Sequence, residues 1–153
     1  MKAVIQRVLN ASVTVEGNII SSIGKGYLIL LGVMRDDTEK DILTLASKTS
    51  RLRIFSDEDG KMNQSIIDVD GEILVVSQFT LCTDAKSGNR PGFTSAALPE
   101  KAETYYNLYI EKLKENGVKH VLSGKFRADM KVELVNDGPV TIIFDTNDWR
   151  KGD

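Results

Sequence analysis

Residues 3–9 are rich in apolar and β-branched side chains around the polar pair Gln6-Arg7, and Asn10-Ala11-Ser12 interrupts them before Val13-Thr14-Val15 resumes the pattern. This predicts two extended segments joined by a turn. Gly17-Asn18 and Gly24-Lys25-Gly26 mark further turns. Tyr27-Leu28-Ile29-Leu30-Leu31-Gly32-Val33 is an unbroken apolar run of strand length, expected to be buried on both faces. A helix follows: Asp37 or Thr38 can cap it, Glu39 and Asp41 suit its positive end, and Ile42, Leu45, Ala46 and Thr49 share one face. Arg53-Ile54-Phe55 is extended and Asp57-Glu58-Asp59-Gly60 is turn-like. Asp70-Gly71 then opens the strand Ile73-Leu74-Val75-Val76, which is expected to run straight into Ser77-Gln78-Phe79-Thr80-Leu81.

Residues 83–98 change to Ser, Gly, Asn, Arg and Pro without periodicity, a long loop of the kind that often carries function. Pro99 and Glu100 begin a second helix whose apolar face is Ala102, Tyr105, Tyr106, Tyr109 and Leu113, and Asn116-Gly117 ends it. Near the end, Val132-Glu133-Leu134-Val135 alternates, Asn136-Asp137-Gly138 supplies a turn, and Pro139 to Phe144 returns as a hairpin strand. The pattern predicts one α/β domain over residues 1–153, with a mainly antiparallel, barrel-like sheet and two flanking helices.

Composition narrows the chemistry. The chain has 153 residues, 41% of them hydrophobic and 27% charged, enough apolar content for a core. No apolar run nears the ~20 residues that span a bilayer, and residues 1–7 turn polar too soon for a signal peptide. With a single cysteine, Cys82, no internal disulfide framework is available, and a cytoplasmic protein is expected. One histidine, His120, and one cysteine leave no zinc motif, and no metal or cofactor is expected. Net charge is −2, without the basic excess of a protein that wraps a duplex. Acidic residues crowd positions 36–41 and 57–59, while Lys86, Arg90, Lys125, Arg127 and Lys131 fall in the C-terminal half.

Three stretches combine polar groups with the ends of elements. Ser77-Gln78-Phe79-Thr80 puts two hydroxyls and an amide at the end of a buried strand, where backbone N–H groups free of the ladder would form an oxyanion hole. Its Ser and Thr could equally satisfy only the next turn. In Asn89-Arg90-Pro91-Gly92-Phe93-Thr94, Arg90 beside Phe93 suits a phosphate and a stacked base, or Phe93 simply anchors the loop. In Asn136-Asp137-Gly138-Pro139-Val140-Thr141, base rates favour a trans bond before Pro139, since about 5–6% of X-Pro bonds are cis.

Taken in order, these stretches carry a resemblance. Ile5-Gln6-Arg7-Val8 with Ala11-Ser12-Val13-Thr14-Val15, Arg53-Ile54-Phe55, Gly60-Lys61-Met62-Asn63, Val75-Val76-Ser77-Gln78-Phe79-Thr80-Leu81, Arg90-Pro91-Gly92-Phe93, Phe126-Arg127-Ala128-Asp129-Met130 and Asn136-Asp137-Gly138-Pro139-Val140-Thr141 resemble the D-aminoacyl-tRNA deacylases, formerly called D-tyrosyl-tRNA deacylases. The resemblance spans residues 1–145 and leaves a tail, 145–153, outside it.

It implies a homodimer with active sites at the subunit interface. It also implies hydrolysis of the ester joining a D-amino acid to the 3′-terminal adenosine of tRNA, as proofreading of translation, with glycyl-tRNA also able to enter. Gly138-Pro139 would be cis, against the base rate, and would reach from one subunit into the other's pocket as a steric gate against L side chains. Ser77, Gln78, Phe79 and Thr80 would carry catalysis, and Arg7 would hold the Gly138-Pro139 loop. Thr80 could be a nucleophile, but no basic side chain is evident beside it, and help from the tRNA 2′-hydroxyl is the preferred expectation. Lys86, Arg90, Phe93, Lys125 and Arg127 would grip tRNA. The alternatives are a non-catalytic RNA-binding module and a small-molecule esterase.

Overall fold

The computed structural model describes residues 1–150. Its longest ladder joins β1 (Lys2–Val15) to β8 (Lys131–Asp145), antiparallel. Along the other edge of β1 run β2 (Asn18–Ile23) and β3 (Gly26–Gly32), as one strand broken at Gly24-Lys25: Ala11 faces Ile23 and Val8 faces Gly26. The strands β6 (Glu72–Ser77) and β7 (His120–Ser123) then add in parallel to β3. The sheet is therefore mixed, and it curls until the Ser21 hydroxyl of β2 donates to the Ser123 carbonyl of β7, leaving a nearly closed barrel. A separate antiparallel pair, β4 (Arg53–Ser56) and β5 (Met62–Ser65), lies outside it.

Strand alternation sends residues to two cores. Tyr27, Ile29, Leu31, Ile73 and Val75 pack under the helices α1 (Glu39–Arg51) and α2 (Pro99–Glu115), whereas Leu28, Leu74 and Val76 join Val8, Ala11 and Val13 on the other side. The 27–33 run is thus buried on both faces, as its lack of alternation predicts. Each such Leu or Ile contributes about 1.5–3 kcal/mol by leaving water. Thr38 caps α1, and Asp41 reaches back to accept its N–H at 2.8 Å. Asn116 ends α2, with Gly117 at φ +108°.

One strand, β7, goes unpredicted, and three expectations are corrected, the last of them the hairpin at 136–138. The extended segments at 3–9 and 13–15 are one strand, because β8 offers a ladder along nearly all of it. β7 and its parallel pairing carry no signal in so short a segment. The strand at 73–76 does not continue to Leu81: it ends at Ser77, and Phe79–Cys82 wind into a 3-10 turn.

The third is the expected hairpin at 136–138. β8 crosses this region as one strand with a wide bulge, since Gln6 pairs with Thr141 and Val8 with Asn136. Four residues, 137–140, thus leave the ladder opposite Arg7. The Asn136 side chain closes the bulge by accepting Val140 N–H at 3.1 Å and donating to the Thr141 hydroxyl at 3.0 Å. Of the expected tail, Thr146–Trp149 form a 3-10 turn whose Trp149 ring meets Phe144 edge-on, and positions 151–153 lie outside the described residues.

Candidate active site

β6 delivers Ser77 to the end of the sheet, and the chain turns there because Gln78 N–H bonds Leu31 carbonyl at 2.8 Å while Leu81 N–H closes onto Gln78 carbonyl at 3.2 Å. That closure does not consume the N–H groups of the turn's two central residues, Phe79 and Thr80. Gly32 makes the turn's position possible. A Cβ at Gly32 would lie 3.0 Å from Leu81 Cβ, 3.1 Å from Cys82 Sγ and 3.2 Å from Gln78 carbonyl, so any larger residue would press the turn away from β3.

Ser77, Gln78 and Phe79 line a cleft of about 520 Å³. Its other walls come from Leu31 on β3 and Val33 just after it, from Ala96 and Ala97 before α2, from Ala102 on α2, and from Phe126, Arg127, Ala128 and Met130 after β7. The lining is apolar apart from Ser77, Gln78 and Arg127, and Arg127, at φ +67°, is its sole ionisable member. Guanidinium is a permanent cation and cannot take a proton from water. Thr80 is exposed, and its hydroxyl accepts a hydrogen bond from the Gln78 amide. Cys82 ends the turn but is buried: desolvation raises its thiol above the ordinary value, with the charge of Asp37 adding to the shift, so it stays protonated and inert at neutral pH. Among the described residues no three His, Cys, Asp or Glu side chains are grouped as a metal site, and no helix is long and apolar enough to cross a membrane.

The expected site residues fall into three groups. Ser77, Gln78, Phe79 and Arg127 come together in the cleft lining; Thr80 follows them on the turn, exposed and outside that lining, and Lys125 is exposed on the turn that carries Arg127. Phe93 packs edge-on against Phe79, with centroids 5.1 Å apart, so it anchors its loop. That loop carries Lys86 and Arg90 on a small hairpin closed by two bonds between Asp84 and Gly92, both exposed to solvent.

Gly138, Pro139 and Arg7 form the third group, elsewhere on the molecule. The Gly138-Pro139 bond is cis, as the resemblance implies and against the base rate. Arg7 braces this bulge: Nε donates to Asp137 carbonyl at 3.0 Å and Nη1 to Ile54 carbonyl at 2.6 Å. Ser77 lies level with Leu31 and Ala3, four residues along β1 from Arg7. On the sheet this separates Gly138 from Ser77 by roughly 13 Å along and three strand spacings, about 14 Å, across. The bulge of one chain therefore does not meet its own cleft. Sequence reasoning missed Gly32, Ala96 and Ala97; small residues beside an apolar run give no local sign that another segment packs on them.

A profile of the family described as D-Tyr-tRNA(Tyr) deacylase matches residues 4–145. The chain is 58% identical to a D-aminoacyl-tRNA deacylase of Dictyoglomus turgidum, covering 99% of this chain and 96% of that one. It is 55% identical to a D-aminoacyl-tRNA deacylase of Thermotoga petrophila, covering 96% and 98%. Among solved structures it is similar to one titled "c-Myc DNA Unwinding Element Binding Protein", with TM-score 0.90 and 46% identity over 95% of this chain and 98% of that one.

Proposed function

The chain belongs to the D-Tyr-tRNA(Tyr) deacylase family and hydrolyses D-aminoacyl-tRNA; from that premise we propose that the 77–80 segment holds the ester and that the 138–139 bulge of a second copy decides which enantiomer reaches it. The observation that carries this reading is the composition of the cleft. Main-chain donors and an amide end it, and no side chain in its lining can act as a general base.

An aminoacyl ester is already activated, so what it needs is positioning and a place for negative charge. Water adds to the ester carbonyl carbon, and the oxygen that gains charge sits against the N–H groups of Phe79 and Thr80. Collapse breaks the bond to the ribose 3′-oxygen, which takes one of the water's protons, and the D-amino acid leaves as its carboxylate with the other proton released to solvent. The neighbouring 2′-hydroxyl of the terminal adenosine relays the proton that the 3′-oxygen takes. Ser77 and Gln78 orient the amino group and the ribose.

Two features favour a homodimer as the working unit. Among the described residues β8 pairs only with β1, so a strand of 15 residues keeps a free edge, which readily pairs with another chain. On the same strand the exposed side chains of Val135 and Ile143, the latter 73% exposed, flank the bulge. Once inserted into the partner's cleft, the Gly138-Pro139 main chain, braced by Arg7, leaves no room for an L side chain. Glycine passes, having none. Rejection by a wall needs no tighter binding of the D form. Lys86 and Arg90 on their hairpin, with Lys125 and Arg127 beyond β7, meet acceptor-end phosphates; an enzyme that grips only that end needs few such contacts, which suits a net charge of −2. The activity serves proofreading of translation.

Incubation with D-tyrosyl-tRNA and L-tyrosyl-tRNA tests the reading. Release of D-tyrosine with the L ester left intact is expected. Release of both would mark an unselective esterase, and protection of both a binding module; either contradicts the proposal.

A further inference from the structure

Met1, Asp37, Asp41 and Arg150 meet in a charge cluster on the far side of the cleft wall. The Asp37 carboxylate is almost fully buried, and its Oδ1 accepts from the Met1 α-ammonium at 2.6 Å and from Arg150 Nη2 at 3.1 Å. Its Oδ2 accepts the Met34 N–H at 2.6 Å. Arg150 also binds both carboxylate oxygens of Asp41 in the first turn of α1. Met34 in turn forms a β-bridge with Ala96; Arg35 N–H bonds Ser95 carbonyl at 2.8 Å, and Ala97 N–H bonds Val33 carbonyl at 2.9 Å. Val33, Ala96 and Ala97 line the cleft. A carboxylate out of water needs this much compensation, and it then has little freedom to move. The Met34 N–H is tied to it.

We propose that Asp37 and Arg150 are positioning residues for the deacylation cleft: clamped by the Met1 ammonium and by Arg150, Asp37 fixes Met34, and through Met34 it fixes the Ala96-Ala97 wall against which the substrate is seated. Neither residue touches substrate. The proposal rests on the deacylase reading only for what the cleft binds; the coupling from Arg150 to the wall is independent of it.

Asp37→Asn leaves a buried ammonium without its counter-charge and can fail to fold, so the test uses Arg150, whose side chain is 40% exposed. Arg150→Met, Arg150→Lys and Tyr109→Phe are compared with the wild type by amide hydrogen exchange and by steady-state deacylation of D-tyrosyl-tRNA. Tyr109→Phe removes the buried Thr49–Tyr109 hydrogen bond and serves as a loosened protein with an untouched latch. Arg150→Met is expected to speed exchange at Met34, Arg35 and Ala97 about tenfold and to raise KM three- to tenfold, with kcat within twofold of the wild type. Arg150→Lys should recover part of both effects, and Tyr109→Phe should show neither. Unchanged exchange at these amides in Arg150→Met, or the same changes in Tyr109→Phe, would overturn the inference. A wild type inert toward D-tyrosyl-tRNA would contradict the deacylase reading alone, and the exchange comparison would still decide this one.

Discussion

Thr80 is the residue most open to a catalytic role by residue type, and its surroundings argue against one. Its hydroxyl is engaged by the Gln78 amide, it is exposed, and the adjoining cleft is lined by no side chain that can act as a general base. A threonine nucleophile needs a partner to take its proton. In the proposed mechanism Thr80 contributes its main-chain N–H, which alanine retains. Thr80→Ala is therefore expected to keep deacylation of D-aminoacyl-tRNA within about tenfold of the wild type, a cost of up to about 1.4 kcal/mol from losing the hydroxyl that orients the Gln78 amide. A loss of about 10³-fold or more in single-turnover assays of the folded variant would restore the nucleophile. Residue types alone mark 77–80 as the polar end of a buried strand, equally open to a plain turn; only the resemblance gives the segment a catalytic expectation. Gly32 carries no such mark: its role depends on where the 3-10 turn docks, and only the close contacts with Leu81, Cys82 and Gln78 expose it.

At the scale of elements, the start of α1 joins a capping device to a charge device. Burial alone would raise the Asp41 carboxyl, but hydrogen bonds from Arg150 and Thr38, with the charges of Arg150 and the N-terminal amine, outweigh it and hold the group below the usual aspartate value. A carboxylate depressed in the folded state contributes stability that is whole above its unfolded pKa, about 4, and is lost as pH falls through the lower folded value. Thermal midpoints should thus hold level toward pH 4 in this contribution and fall below it, with a shallower fall in Arg150→Met. Equal slopes for the two proteins would contradict the assignment.

The helix was readable, down to the choice of Asp37 or Thr38 as its cap, because capping is local. Asp37 proved to serve Met1, Arg150 and Met34, which no local pattern records. The bulge at 137–140 was misread for a related reason. Asn-Asp-Gly is turn chemistry in isolation, but β1 holds both flanks in one ladder, so the turn becomes a projection from a continuous strand.

For the molecule as a whole, alternation and apolar runs located most strands and both helices, and hence the class of fold. Pairing was beyond that signal, since a strand buried on both faces reads the same whether its neighbour runs parallel or antiparallel. The parallel β3–β6–β7 arrangement matters for function, because it places the end of β6 beside the segment after β7 and so brings Ser77 to Arg127. The same topology keeps the bulge away from its own cleft, which is why the account assigns chiral selection to a pair of chains and the chemistry to main chain and substrate. That division is tested most directly by single-turnover deacylation of a D-aminoacyl-tRNA whose terminal adenosine lacks the 2′-hydroxyl and carries the amino acid on the 3′-oxygen. Turnover is expected to be abolished while the tRNA still binds; undiminished turnover would contradict the assignment of the chemistry to main chain and substrate.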